Sequence, residues 1–206
     1  MTEDTSPPKA PEQSLSEPAL DLLFREARSH NKWRDLEVSD DQLEQLHALT
    51  KWGPTSANCS PGRFVFLKTA DAKARLAQHV SNANREKVLT APVCVIFAYD
   101  RAFADNLPAL FPHNPGARHW FADPEMAEST AFRNGSLQAA YMMMAARAIG
   151  LDCGPMSGFD QAAVDLEFFP GATWATNFIC SLGHGDPAGV FSRLPRLSFD
   201  EACKVL

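Results

Sequence analysis

At 206 residues, with 45% hydrophobic and 21% charged side chains, the chain has the length and composition of a soluble globular protein built on one sizeable core. Nineteen Lys and Arg against 25 Asp and Glu leave a formal net charge of −6. That balance argues against a broad nucleic-acid footprint, yet it leaves room for a local phosphate site.

Residues 1–18 hold prolines, serines and acidic groups but almost nothing apolar, and such a segment is expected to be a mobile tail ahead of a single domain over 19–206. Leu20, Leu23, Phe24 and Ala27 then recur at helical spacing, with Pro18 placed for a first turn. Ser39 and Gln42 form a capping-box pattern before Leu43, Leu46 and Leu49, and Gly53–Pro54 is expected to end that helix. Phe64–Leu67 reads as a buried strand, and Thr69 as the cap of a helix carrying Ala72, Leu76 and Val80. Val93–Ala98 is continuously apolar, as in a strand covered on both faces.

Asn106 to Ala122 is irregular, with prolines, histidines and aromatics, and reads as a lid or binding loop. Asp123 and Pro124 open the longest helix, with Leu137, Ala140, Tyr141, Met144 and Ala148 on one stripe and Gly150 as its left-handed cap. Phe178–Leu182 is a further strand, and Ser198 with Glu201 caps a short last helix. Helices and strands mix without regular alternation, so the predicted class is α+β.

Cys59, Cys94, Cys153, Cys180 and Cys203 are scattered and never two residues apart, which predicts free thiols in a reducing cytosol. No charged-then-apolar leader and no apolar run near ~20 residues is evident, so a cytoplasmic protein without nucleic-acid or membrane partners is expected. Gly183, Gly185 and Gly189 have the wrong spacing for a dinucleotide fingerprint, and Ser157 sits wrongly for a nucleophile elbow. His113, His119 and Asp123 match no usual metal-ligand spacing, so no metal is expected. Arg118, Arg133 and Arg147 read as solvated or paired.

Four separated segments are unusually polar or backbone-special. They are Arg28-Ser-His-Asn-Lys-Trp33, Trp52 to Pro61, Asn84-Arg-Glu-Lys87, and Gly154-Pro-Met-Ser-Gly158 with Ser192-Arg-Leu-Pro195 as companion. Each alone suits an ordinary turn or surface pair. In this order they resemble the nitroreductase-family flavoproteins.

The resemblance covers nearly everything after the tail and implies a nitroreductase-like fold, an intertwined homodimer, and FMN at the subunit interface. Arg28, Ser29 and Asn31 fall on the family's phosphate- and ribityl-binding start. Pro54, Thr55, Ser56 and Asn58 fall on the loop that the second subunit lends to the same flavin. Asn84 and Lys87 match the pair at the isoalloxazine edge, and Pro155, Met156, Ser157 and Gly158 the loop whose backbone approaches N5 and O4. Arg193 matches an arginine of the C-terminal phosphate clamp. These types suit the chemistry: guanidinium forks and hydroxyls bind phosphate, and an ammonium near N1 and O2 favours reduced flavin.

Ala27 stands where the family often has a first arginine, Asn31 replaces a usual cation, and Ser60-Pro61-Gly62 replaces a Gln-Pro-Trp. The first two departures place more of the phosphate binding on Arg193, and the third removes a bulky ring from the wall of the site. Within the family the chain most resembles the malonic semialdehyde reductases of pyrimidine degradation, through Lys51–Pro61, Leu89–Val93, Glu128–Asn134, Gly150–Phe159 and Arg193–Phe199. That resemblance implies reduction of malonic semialdehyde to 3-hydroxypropionate by NADPH or NADH. A broad nitroarene or quinone reductase and a non-catalytic flavin binder are the alternatives.

Overall fold

Alternation along β2 (Val93–Asp100) organises the molecule. Val93, Val95 and Phe97 point into one apolar layer, and Cys94, Ile96 and Ala98 into the other. A strand apolar on both faces belongs inside a sheet covered twice. In the computed structural model, which describes residues 14–206, β2 is central in a four-stranded antiparallel sheet of order β1-β2-β4-β3. Its neighbours are β1 (Gly62–Leu67) and β4 (Trp174–Gly183), with β3 (Asp152–Met156) at the far edge.

The helices run in order: α1 (Glu17–Leu20) widening into a π-helical turn (Asp21–Arg25), α2 (Asp40–Thr50), α3 (Ala70–Leu76), α4 (Asn82–Thr90), α5 (Leu107–Leu110), α6 (Pro124–Ala148), α7 (Gln161–Phe168) and α8 (Phe199–Ala202). Leu43 and Leu46 of α2 and Ala139, Met142 and Ala146 of α6 pack on one sheet face. Leu76, Val88 and Val164, from α3, α4 and α7, pack on the other. A third cluster around Cys59, Phe103, Leu107, Ala117 and Ala131 anchors residues 103–121.

Several expectations hold in detail. The Ser39–Gln42 capping box makes both its bonds, at 3.2 and 3.0 Å. Thr69 caps α3, Asp123 caps α6, and Ser198 and Glu201 cap α8. Gly150 takes φ +82° past the end of α6, the left-handed region that a glycine enters without Cβ strain.

Others need correction. Helix α2 stops at Thr50, a few residues ahead of Gly53–Pro54, and Gly53 packs against the Tyr141 ring, which a Cβ would meet at 2.7 Å. Helix α3 ends at Leu76, so Val80 lies beyond it and bridges to Phe159. Residues 106–122 are not structureless, since α5 and a 3₁₀ segment (Pro115–Phe121) fill most of them. On α6 the expected stripe is the exposed side: Leu137 and Tyr141 are 45% and 44% exposed, while Asn134, Gln138 and Ala139 face inward. Small and polar residues line much of the contact with the sheet, which leaves Leu137 and Tyr141 on the outer side. The first thirteen residues of the expected tail lie outside the described residues.

Candidate active site

Strand β3 positions the N-terminal segment. Its outer edge is paired by residues after α1: Ser29 bridges Cys153, and the His30 amide donates to the Cys153 carbonyl at 3.0 Å. Gly154 makes this approach possible, because a Cβ there would overlap the His30 carbonyl oxygen. Pro155 is tolerated because an edge strand can spare a ladder donor. Sequence reading had taken 154–158 as a loop; Gly154 and Pro155 mask the strand signal that the sheet edge permits.

Beyond that edge, Arg28, Ser29, Asn31 and Arg193 line one cavity of about 600 Å³ together with Arg147 and Arg196. The Arg28 guanidinium donates to the Phe191 carbonyl. Arg193 donates to the carbonyls of Arg25 at 2.5 Å and Ala27 at 3.3 Å. Asn31 reaches the Gly189 carbonyl at 3.4 Å. No carboxylate lines this cavity among the described residues. Arg28, Ser29 and Asn31 therefore share one cavity with Arg193, which follows them by more than 160 residues.

Asn84 and Gly158 also converge. The Asn84 side-chain amide, nearly buried, donates to the Gly158 carbonyl at 3.2 Å, and the Ser81 amide donates to the same oxygen at 2.9 Å. A Cβ on Gly158 would meet Asn84 Nδ2 and Ser81 Oγ, each at 2.9 Å. Lys87 is one helical turn further on, and its carbonyl accepts from Ser181 Oγ at 3.1 Å. Met156 is buried in the sheet, whereas Pro155, Ser157 and Gly158 are exposed. Ser157 follows Cys153 by four residues, roughly 13 Å along an extended chain, so the arginine cavity and the 157–158 turn flank the same edge.

Pro54, Thr55, Ser56 and Asn58 do not join them within one chain. The Ser56 amide donates to Asn134 Oδ1 at 2.8 Å, and Asn58 Nδ2 to the Leu110 carbonyl at 2.8 Å. Thirteen residues of α6 separate Asn134 from Arg147, about 20 Å at 1.5 Å per residue. Ala57, Asn58 and Ser60 all have positive φ, of 50°, 50° and 40°. Such a run persists only where surroundings over-determine it, as they do at functional sites. Here Thr55 Oγ1 accepts from the Ser60 amide at 3.1 Å, and Cys59 is buried beneath.

Three residues were not expected at the site, Arg147 having read as solvated or paired. His30 is buried with Nε2 3.4 Å from Asp152 Oδ1, and Asp152 in turn accepts from the Gly185 amide at 2.9 Å. Arg147 donates to the Leu23 carbonyl at 3.1 Å and leaves its Nε–H buried without a partner among the described residues. Arg196 bonds the carbonyls of Leu194 and Pro195, each at 3.1 Å. A lone arginine on a helix carries no signal of its cavity, but the pairing of Arg193 with Arg196 in one short segment offered one.

The nitroreductase family profile matches residues 24–184. A Ralstonia pickettii protein, named provisionally as the NADH dehydrogenase/NAD(P)H nitroreductase HadB, is 57% identical over 188 residues, covering 90% of this chain and 96% of its own length. Solved structures share the fold. One is a provisionally assigned nitroreductase of Exiguobacterium sibiricum in complex with FMN, at TM-score 0.83 and 18% identity over 94% of this chain and 99% of that one. Another is a provisionally assigned Bacillus subtilis nitroreductase, ydfN, at TM-score 0.82 and 19% identity over 93% and 100%.

Proposed function

Because this chain belongs to the nitroreductase family, we propose that it is an FMN-dependent oxidoreductase that carries hydride from NAD(P)H to a small nitroarene or quinone acceptor. The observation that carries this reading is the arginine-lined cavity free of carboxylates, flanking the same strand edge as the Asn84–Gly158 turn. Guanidinium forks without acidic partners suit a phosphate monoester. The buried Nε–H of Arg147 is one polar atom still unmet there among the described residues, and the absence of Cβ at Gly154 and Gly158 lets the His30 segment and Asn84 pack closely along this edge.

On this reading Arg28, Ser29 and Arg193 hold the phosphate, with Asn31 beside them. Pro155, Met156, Ser157 and Gly158 supply backbone at the ring, while Asn84 fixes that turn through the Gly158 carbonyl. Lys87 offers an ammonium to the ring edge, which favours the reduced form. When bound, FMN supplies the hydride chemistry, and no side-chain nucleophile is required.

Pro54, Thr55, Ser56 and Asn58 reach a flavin only from a second copy, so the working unit is a homodimer. Exposed Leu137 and Tyr141 on α6, and Phe191, Leu194 and Leu197 in the C-terminal arm, support such an interface.

A second reading, reduction of malonic semialdehyde to 3-hydroxypropionate, is favoured by the five sequence stretches given above. The Ralstonia relative bears a nitroreductase name, so the nitroarene or quinone reading leads. Among the described residues no helix is long and apolar enough to cross a membrane; the reading takes the protein as cytoplasmic.

Purified protein should be yellow, elute as a dimer by light scattering, and bleach anaerobically with NADPH or NADH. Turnover of a nitroarene or quinone should exceed that of malonic semialdehyde. Faster aldehyde turnover would reverse the order of the two readings. A yellow protein that neither nicotinamide bleaches would leave only flavin binding, and a flavin-loaded monomer would refute the shared site.

A further inference from the structure

We propose that Arg147 and Arg196 are two further phosphate-binding residues, so that the cofactor phosphate is held by four guanidinium groups rather than two. The inference rests on the FMN reading above and goes beyond the residues that the family resemblance supplies.

Four arginines line this one cavity in a chain whose net charge is −6, so the cluster does not follow from basic composition. Their recorded acceptors are main-chain carbonyls, together with the Met144 sulfur at 3.6 Å from Arg147. None forms an ion pair among the described residues, and neither do Arg34, Arg85 and Arg133 elsewhere, whereas Arg25, Arg63, Arg75, Arg101 and Arg118 all do; only these four unpaired arginines share a cavity. Like charges gathered without counter-charge repel, and a phosphate monoester of about −2 charge relieves that repulsion.

Arg147 adds a second, independent observation. Its Nε–H is buried with no acceptor among the described residues, although its Nη1 is anchored on Leu23 in the π-helical turn after α1. A buried donor without an acceptor is destabilising unless something supplies one, and a phosphate oxygen does so. The anchor also holds the guanidinium beside the segment that carries Arg28 and Ser29. Arg196 is exposed and turned back on its own backbone, free to close over the anion from the C-terminal arm.

The test compares FMN with riboflavin, which lacks the phosphate, by quenching of flavin fluorescence on apo-dimer. Wild type should bind FMN much more tightly than riboflavin. Arg147→Met and Arg196→Met should each lose about tenfold in FMN affinity, as for a charge-assisted contact, with riboflavin affinity unchanged. Inorganic phosphate should raise the Tm of wild-type apo-protein and not that of the double variant.

Equal losses for FMN and riboflavin would mean that these arginines only support the fold, and unchanged FMN affinity would mean that they stay outside the site; either result overturns the proposal. Arg196 is on the surface, so R196M keeps the test open if R147M does not fold. Wild type that does not distinguish FMN from riboflavin would overturn the phosphate reading of the whole cavity. Loss of the preference for FMN over riboflavin in R147M and R196M, with riboflavin affinity held at the wild-type value, is the supporting pattern.

Discussion

Gly154→Ala tests how the N-terminal segment is held against the sheet. The added methyl would overlap the His30 carbonyl oxygen and sit 3.5 Å from Trp33 Cζ2. The segment must therefore lift from β3, stretching the 3.0 Å bond from the His30 amide to Cys153. Overpacking costs ~1–3 kcal/mol and the lost bond about 1 kcal/mol, so the variant should lose roughly 2–4 kcal/mol in urea unfolding of the apo-protein at fixed concentration.

Arg28 and Ser29 lie on the lifted segment, so FMN affinity should fall by more than about tenfold, the equivalent of 1.4 kcal/mol. Gly171→Ala is the control. It strains a φ of +75° with nothing within 4 Å of the new methyl, which costs about 1–2 kcal/mol at a residue that does not line the cavity and should leave FMN affinity intact. If G154A loses stability while holding FMN as tightly as wild type, the segment is not held through this contact.

Burial pushes the thiols of Cys59 and Cys94 up to about 11, and reaction needs thiolate. Of the five cysteines only Cys203 is exposed, so a thiol reagent should titrate one group natively and all five after unfolding; two fast native groups would contradict the packing. Burial, with the Glu128 carboxylate at 2.5 Å from its hydroxyl, pushes Tyr99 up to about 12. The neutral phenol is thus held in the fold. Its contribution is fully present below the unfolded value of about 10 and is lost as pH rises through about 12. Tyr99→Phe should therefore flatten the fall in stability over that interval, and an unchanged alkaline unfolding curve would refute it.

The parts of the fold legible in sequence were those whose physics is local. A capping box is three residues long, so Ser39 and Gln42 announced α2, and Ser198 and Glu201 announced α8. Val93–Ala98 revealed a doubly covered strand by composition alone. Helices α4 and α7 were missed because their contacts are sparse: α4 buries only Asn84 and Val88, and α7 only Val164. β3 was missed because its residues are set by what lies beside them, glycine for the His30 carbonyl and proline for a free edge.

The α6 error points the same way and further. Its bulkiest apolar residues, Leu137 and Tyr141, face outward in one chain, while Asn134 and Gln138 face inward to satisfy the amides of Ser56 and Gly62. Apolar bulk marks a face that is buried somewhere, without saying whether by the same chain or another. Asn134 uses its inward turn to hold the 54–58 loop, about 20 Å along the helix from Arg147. One helix therefore carries a strained loop near its middle, an arginine of the cavity near its C-terminal end, and an uncovered apolar face between. A second copy packed antiparallel on that face would bring each loop towards the other chain's cavity, which is the arrangement a shared flavin site needs.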